Sequence, residues 1–417
     1  MAAEANAAVA VDGRDYHERP SLAAPAIGVL PSDVTCTFIG EGCANVVFAL
    51  TRPAVPDTTP IGSETDSSTT TRSSHLLRIP KAAPGVGPAT CLDHHAYYTG
   101  VLRPLLGAAS LVDQHLVRGV TALHAALNAL LANADRCKRR RPDLVGTGLA
   151  PAVDVALLVE DMTAPAATPG AIASVTFQFK PKWLAQSPTA PVDARRCRTC
   201  ALSAASVTSD RGRPTKVHKV KPCPLVLVAA RNGPQDQDGR DDGDDEISNA
   251  LWDYVSQHRV IPPAWVAPPP RLDPLCVRPV VVRWLRTTSL FRRLAAIQQE
   301  FDPRGALGIG DAGASEDHSG APVTSQALDR LQTAMTLRDC TCYLRVVFSS
   351  CGDGDGDGNN AAGLSVSAKL GDLDCKDGRR KLARWQAQER ALLVGGFYTA
   401  TEVPRQHTSC WLERQRT

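Results

Sequence analysis

The chain is predicted to be an α+β protein of about two lobes with polar insertions in its surface loops, and three observations carry that expectation. At 417 residues it exceeds what one small hydrophobic core organises. Short β-prone runs broken by a glycine turn alternate with stretches of helical period, as TCTFIGEGCANVVFAL (35–50) does with residues 101–134. Four segments, 57–74, 231–246, 305–322 and 351–363, are rich in Gly, Ser, Thr or Asp without apolar periodicity, so they extend loops rather than add cores. Hydrophobic content of 43% against 21% charged leaves enough apolar surface for a real interior.

Charge narrows the ligand. The net charge of +3 conceals two acidic runs, QDQDGRDDGDDE (235–246) at −6 and CGDGDGDG (351–358) at −3, which leave the rest of the chain at +12. A folded body that basic suits an anionic partner such as a polyphosphate, a nucleic acid or a membrane surface. Few aromatics interleave with the basic clusters and no nucleic-acid motif occurs, so nucleic acid is not required. The start, MAAEANAAVAVDGRDYHERP, lacks a basic region followed by an apolar run, and no stretch reaches the length of a membrane span. The expectation is therefore an intracellular protein, nuclear or cytoplasmic, monomeric and without membrane insertion, whose 13 cysteines are mostly reduced thiols.

The elements follow in order. Two β-prone runs flank Gly40, Glu41 and Gly42, a hairpin of the kind that covers nucleotide phosphates in protein-kinase-like folds. No Gly-Lys-Ser/Thr ending follows, which excludes a P-loop. The strand HLLRIPK (75–81) carries Arg78 at mid-strand, where kinases place a phosphate-pairing Lys, and Arg serves there bidentately. Residues 101–134 are expected to be helical, with His115 and His124 as packing or surface residues. VALLVEDMT (155–163) reads as a buried strand ending in two acids, the place of a hinge.

IASVTFQFKPKWLAQSP then sets Lys180 and Lys182 on one face of a strand end, separated by Pro181, so two ammonium groups can converge. A solvated strand end is the plain alternative. LQTAMTLRDCTCYLRVVF (331–348) puts Asp339 between a helix and a strand, and LSVSAKLGDLDCKDGRRKLARW (364–385) puts Asp372 and Asp374 directly after one. Phosphoryl transfer needs one carboxylate to orient the hydroxyl and another to hold magnesium. Either Asp alone would be an ordinary turn residue; the ordered set is more telling. Asp353, Asp355, Asp357 and Gly358 imitate a calcium loop, but the twelfth position is Leu364 rather than a bidentate Glu.

GEGCANVVFAL, LLRIPK, FQFKPKWLAQSPTAP, RCRTCAL, MTLRDCT and KLGDLDCK resemble the motifs of the inositol-pentakisphosphate 2-kinase family, fungal type. The resemblance implies a protein-kinase-like fold with a smaller N-terminal lobe over 30–165, holding the nucleotide turn and hinge, and a larger C-terminal lobe over 166–417. It implies transfer of the ATP γ-phosphate to the 2-hydroxyl of inositol 1,3,4,5,6-pentakisphosphate, with Mg2+, to give inositol hexakisphosphate. Nucleotide contacts would fall on Gly40, Glu41, Gly42, Asn45, Arg78, Glu160 and Met162. Substrate phosphates would meet Lys180, Lys182, Lys376, Arg380 and Arg384, magnesium would meet Asp372 and Asp374, and Asp339 would be catalytic.

The chain also departs from the family pattern. Gln178 stands where relatives carry Glu, and ALSAASV after the Cys-x-x-Cys offers no substrate Lys, for which Lys216 or Lys219 could substitute. The Asn-Asn pair of the middle of the family is not recognisable in 231–246. These departures leave a catalytically silent polyphosphate-binding scaffold as the alternative. Cys197 and Cys200 have metal-compatible spacing, with His218 and Cys223 as candidate further ligands for zinc; buried thiols are the other reading. Cys340 and Cys342 alternate in a strand and read as core packing.

Overall fold

The computed structural model describes residues 25–52, 71–82, 90–151, 153–163, 171–209, 222–229, 246–256, 259–265, 274–310, 325–349, 363–400 and 410–414. Lys216, Lys219, His218, the Asp353–Asp357 repeat and most of 231–246 lie outside them. The described part is α+β with two sheets.

The first sheet has six strands: β1 (Ile27–Val29), β2 (Thr35–Glu41), β3 (Asn45–Arg52), β4 (Thr71–Pro80), β5 (Gln114–Arg118) and β6 (Val155–Glu160). Their spatial order is β1-β5-β6-β4-β3-β2, antiparallel except for the β1/β5 pair. β3 shows why the core lies on one face: Val46, Phe48 and Leu50, two residues apart, all point inward. Leu127, Leu131 and Ala134 of the helix His124–Arg136 close over them.

The hairpin expected at 35–50 is β2 and β3, with a bulge between Phe38 and Gly40. Two expectations need correction. Residues 114–118, inside the stretch assigned to helix, form strand β5, because their Leu116 and Val117 complete the sheet next to β6. β4 begins at Thr71, so the supposed insertion 57–74 ends inside a strand paired to Thr51 and Arg52.

The second sheet is β7 (Ala171–Phe179), β8 (Arg259–Trp265), β9 (Thr341–Ser349) and β10 (Gly363–Gly371), ordered β10-β9-β7-β8 and wholly antiparallel. β8 contains Pro262 and Pro263 and accordingly occupies an edge. Alternate residues of β7 (Ala173, Val175, Phe177, Phe179) and β9 (Cys342, Leu344, Val346, Phe348) face a core shared with the helices Glu246–Ser256, Pro274–Thr287 and Leu290–Phe301. Cys340 and Cys342 are fully buried in it, as the alternation implied.

The chain passes from one sheet to the other at 160–163. Thr176 of β7 donates to the Met162 carbonyl (2.8 Å), and Arg345 of β9 donates to the carbonyls of Met162 (3.2 Å) and Asp161 (2.9 Å). Lys369 of β10 pairs with Glu160 at 2.6 Å. Among the described residues no helix is long and apolar enough to cross a membrane.

Candidate active site

β7 ends at Phe179, so Lys180 and Lys182 leave from a turn rather than from one face of a strand. They nevertheless converge. Lys182 adopts φ 60°, a left-handed conformation that costs a non-glycine residue energy and persists only where its surroundings over-determine it. Those surroundings are visible. Tyr254 donates its hydroxyl to the Lys180 carbonyl (2.8 Å), while the fully buried Gln298 donates to the Lys182 carbonyl and accepts from the Leu184 amide, both at 3.0 Å.

Both ammonium groups land on Asp339, which sits between the helix Ser325–Leu337 and β9. Lys180 Nζ lies 2.7 Å from the Asp339 carbonyl and 3.3 Å from Oδ1; Lys182 Nζ lies 3.2 Å from the same Oδ1. Lys376 donates to Oδ2 at 2.8 Å and is itself fixed by its backbone N–H, which donates to Thr336 Oγ1 (3.0 Å). Partial burial alone would raise the Asp339 pKa. The Lys376 hydrogen bond and the charges of Lys376, Lys180 and Lys182 outweigh it and hold the carboxyl far below the usual range.

Asp372 is the second carboxylate of the cluster, 2.9 Å from Lys180 Nζ, half exposed and also left-handed at φ 53°. Three ammonium groups therefore face two carboxylates. Lys381, which the sequence reading passed over, adds another cation close enough to Lys376 and Asp339 that their charges act on it, and its pKa is lowered by burial and by the Lys376 charge. The run RRKLAR held the signal, since helical periodicity puts 381 one turn beyond 377. Arg380 and Arg384 lie on the first turns of the helix Gly378–Val394, which Asp377 caps by accepting from the Arg380 amide (3.1 Å).

The residues expected to contact the nucleotide bond to other parts of the protein. Asp374 is mostly buried and accepts from Arg78 and from Asn45 Nδ2 (3.0 Å), with His94 Nδ1 3.7 Å away. This joins β3 and β4 of the first sheet to the turn after β10 of the second. Glu41, expected at the phosphate turn, instead points inward at 3% exposure, bonded to Arg140 through two 2.8 Å contacts and to Lys81. An unpaired buried Lys81 and Arg140 would be costly, and Glu41 neutralises both. Gly40 and Gly42 have open space where a Cβ would stand. The Met162 carbonyl, expected at the hinge, is taken by the buried Thr176 and the half-buried Arg345, donors that need an acceptor.

The Asp374 pair makes acid stability measurable. Burial would raise its pKa, but Arg78, by charge and hydrogen bond, lowers it from 3.8 to about 2. The unfolded chain thus takes up the proton first. The contribution is complete above pH ~4, on the order of 2 kcal/mol, and disappears as pH falls towards ~2. Urea denaturation of wild type and Asp374→Asn is expected to show a stability gap at neutral pH that closes in acid; a gap independent of pH would remove the ion pair as its cause.

Comparison with known proteins bears on this cluster. The family model described as inositol-pentakisphosphate 2-kinase matches residues 38–391, from the hairpin strand β2 through the helix that follows Lys376. The chain belongs to the inositol-pentakisphosphate 2-kinase family. A curated inositol-pentakisphosphate 2-kinase from Yarrowia lipolytica (strain CLIB 122 / E 150) is 27% identical over 226 residues, 54% of this chain and 54% of that protein. The match thus spans about half the length of the curated relative. Of the six segments that carried the resemblance, the fold brings three, those containing KPKW, LRDCT and KLGDLDCK, to a single point.

Proposed function

We propose that this protein is an ATP-dependent kinase that phosphorylates the 2-hydroxyl of inositol 1,3,4,5,6-pentakisphosphate to give inositol hexakisphosphate. The observation that carries the reading is the convergence of Lys180, Lys182 and Lys376 on the Asp339 carboxylate. A substrate with five phosphates offers several anions per lysine and can draw all three away. Asp339, relieved of its counter-ions, then becomes basic enough to accept the hydrogen bond, and finally the proton, of the hydroxyl. Arg380 and Arg384 extend the cationic surface along one helix face.

The reading includes a two-lobed, kinase-like arrangement with the first sheet in the lobe 30–165 and the second in the lobe 166–417; the separate apolar cores of the two sheets support it. Gly40 and Gly42 let the hairpin backbone approach phosphates closely, and Arg78 on β4 and Asn45 on β3 both hold Asp374. The phosphoryl group and its metal counter-charge come from magnesium-ATP. Asp372 suits the metal, being half exposed and paired, among the described residues, with Lys180, which substrate attracts. Asp374 suits it less, since it is mostly buried and its Oδ2 serves both Arg78 and Asn45. Free thiols throughout the described residues favour a reducing, intracellular setting.

Purified protein given magnesium-ATP and inositol pentakisphosphate is expected to form the 2-phosphorylated isomer, resolved chromatographically. No product from folded, ATP-binding protein would favour the silent scaffold. Lys180→Ala and Lys182→Ala are each expected to weaken inositol phosphate binding by about 1.5–3 kcal/mol, the range for hydrogen bonds to charged groups. ATP affinity is expected to hold. Equal loss of both ligands would mark a folding defect and withdraw the assignment.

A further inference from the structure

Four cysteines from three distant segments meet in the second core. Cys197 immediately precedes the helix Arg198–Ser209 and Cys200 lies in its first turn; Cys223 leads into the turn Val226–Ala229, and Cys410 precedes Trp411–Arg414. All four are buried, and their sulfurs lie within 4.8 Å of one another. Cys197 Sγ is 3.7 Å from Cys223 Sγ, which is 3.8 Å from Cys410 Sγ. These separations are far beyond the ~2.05 Å of a disulfide. They equal the edge, roughly 3.8 Å, of a tetrahedron whose corners stand about 2.3 Å from a central Zn2+.

We propose that Cys197, Cys200, Cys223 and Cys410 bind one structural zinc ion as a closed tetrathiolate site. Four soft ligands with no open corner select zinc over harder cations and leave no position for catalysis. Among the described residues the other buried cysteines, Cys91, Cys340 and Cys342, are not part of this group, so packing of small thiols alone does not account for it. Nearby groups favour sulfur charge: the Cys197 amide donates to Cys410 Sγ (3.2 Å), and the start of the helix Arg198–Ser209 presents its positive end.

The ion has work to do in the fold. Val226–Ala229 and Trp411–Arg414 are four-residue helical turns, too short to persist by themselves. A shared ligand set would hold both against the helix Arg198–Ser209. It would also steady the turn that aims the lysines, because Gln186 bonds the Arg196 carbonyl (3.0 Å) and the Arg198 amide (3.1 Å) on either side of Cys197. The metal assignment itself does not depend on the kinase reading.

The test is metal analysis of untagged full-length protein dialysed in metal-free buffer. The expected result is one zinc per chain, released by a mercurial thiol reagent and detected with a chromogenic chelator. Reconstitution with Co2+ is expected to give the intense visible bands and thiolate charge-transfer absorption of a tetrahedral tetrathiolate. Cys223→Ser and Cys410→Ser are expected to lower zinc well below stoichiometry, and the exposed Cys137→Ser to retain it. Substoichiometric zinc in wild type together with no tetrahedral cobalt spectrum overturns the proposal, as does iron in place of zinc or a disulfide among the four. Should the serine variants fail to fold, the wild-type stoichiometry and cobalt spectrum decide by themselves.

Discussion

Asp339→Asn is expected to bind both substrates and to lose turnover by about 10²–10⁴-fold, the span associated with removing a general base. The substitution keeps the size and hydrogen-bonding capacity of the side chain and deletes the charge that gathers Lys180, Lys182 and Lys376. Inositol phosphate then no longer competes with a carboxylate for those lysines, so its affinity is expected to hold or rise while kcat falls. Asp372→Asn is expected to fail differently and to demand more magnesium, because a neutral amide oxygen is a poorer ligand for a hard cation. Single-turnover rates titrated with magnesium separate the two. Rescue of Asp339→Asn by excess magnesium, with Asp372→Asn unaffected, would exchange the roles; wild-type rates in both would dismiss them.

The second large effect concerns Arg338, the residue beside Asp339. Arg338→Ala is expected to destabilise the protein by about 3–5 kcal/mol, because it strands the carboxylate of Asp302, which is as buried as the guanidinium it faces. It also removes the cation stacked 3.5 Å over the Trp183 ring, which Arg198 also approaches at 4.2 Å. Trp183 directly follows Lys182, so the loss is expected to loosen the lysine turn as well. Urea denaturation measures the cost, and adding Asp302→Ala is expected to recover part of it, since the uncompensated charge goes too. A loss below about 1 kcal/mol for the single variant would mean that Asp302 is not stranded.

Much of the site was legible because its signals are local. KPKW, LRDCT and GDLDCK each announce a charge placed at the end of a regular element, and the hairpin at 35–50 needs only its own alternation and glycines. The helical reading of 101–134 failed at 114–118, where QHLVR has no helical fault and is drawn into the sheet by β1 and β6 on its two sides. The ion pairs of Glu41 were hidden for a related reason: its partners Lys81 and Arg140 are 40 and 99 residues away, and nothing near GEG reveals them. Tyr254 and Gln298, which hold the lysine turn by its carbonyls, carry no motif at all.

By itself the sequence determined the α+β class, the order of strands and charged turns along the chain, the basic character of the body and the family resemblance. Those properties depend on periodicity over a few residues, on composition and on the spacing of residues within short motifs. Tertiary structure alone decided which charges meet: that Lys180, Lys182 and Lys376 share Asp339, that Arg78 and Asn45 take Asp374, and that Cys410 rather than a nearer residue joins Cys197, Cys200 and Cys223. These partners are 37 to 329 residues apart. Side-chain pairing at that range follows from how the sheets and helices bury their apolar faces, and the hydrophobic effect that drives burial is indifferent to which polar groups it leaves side by side.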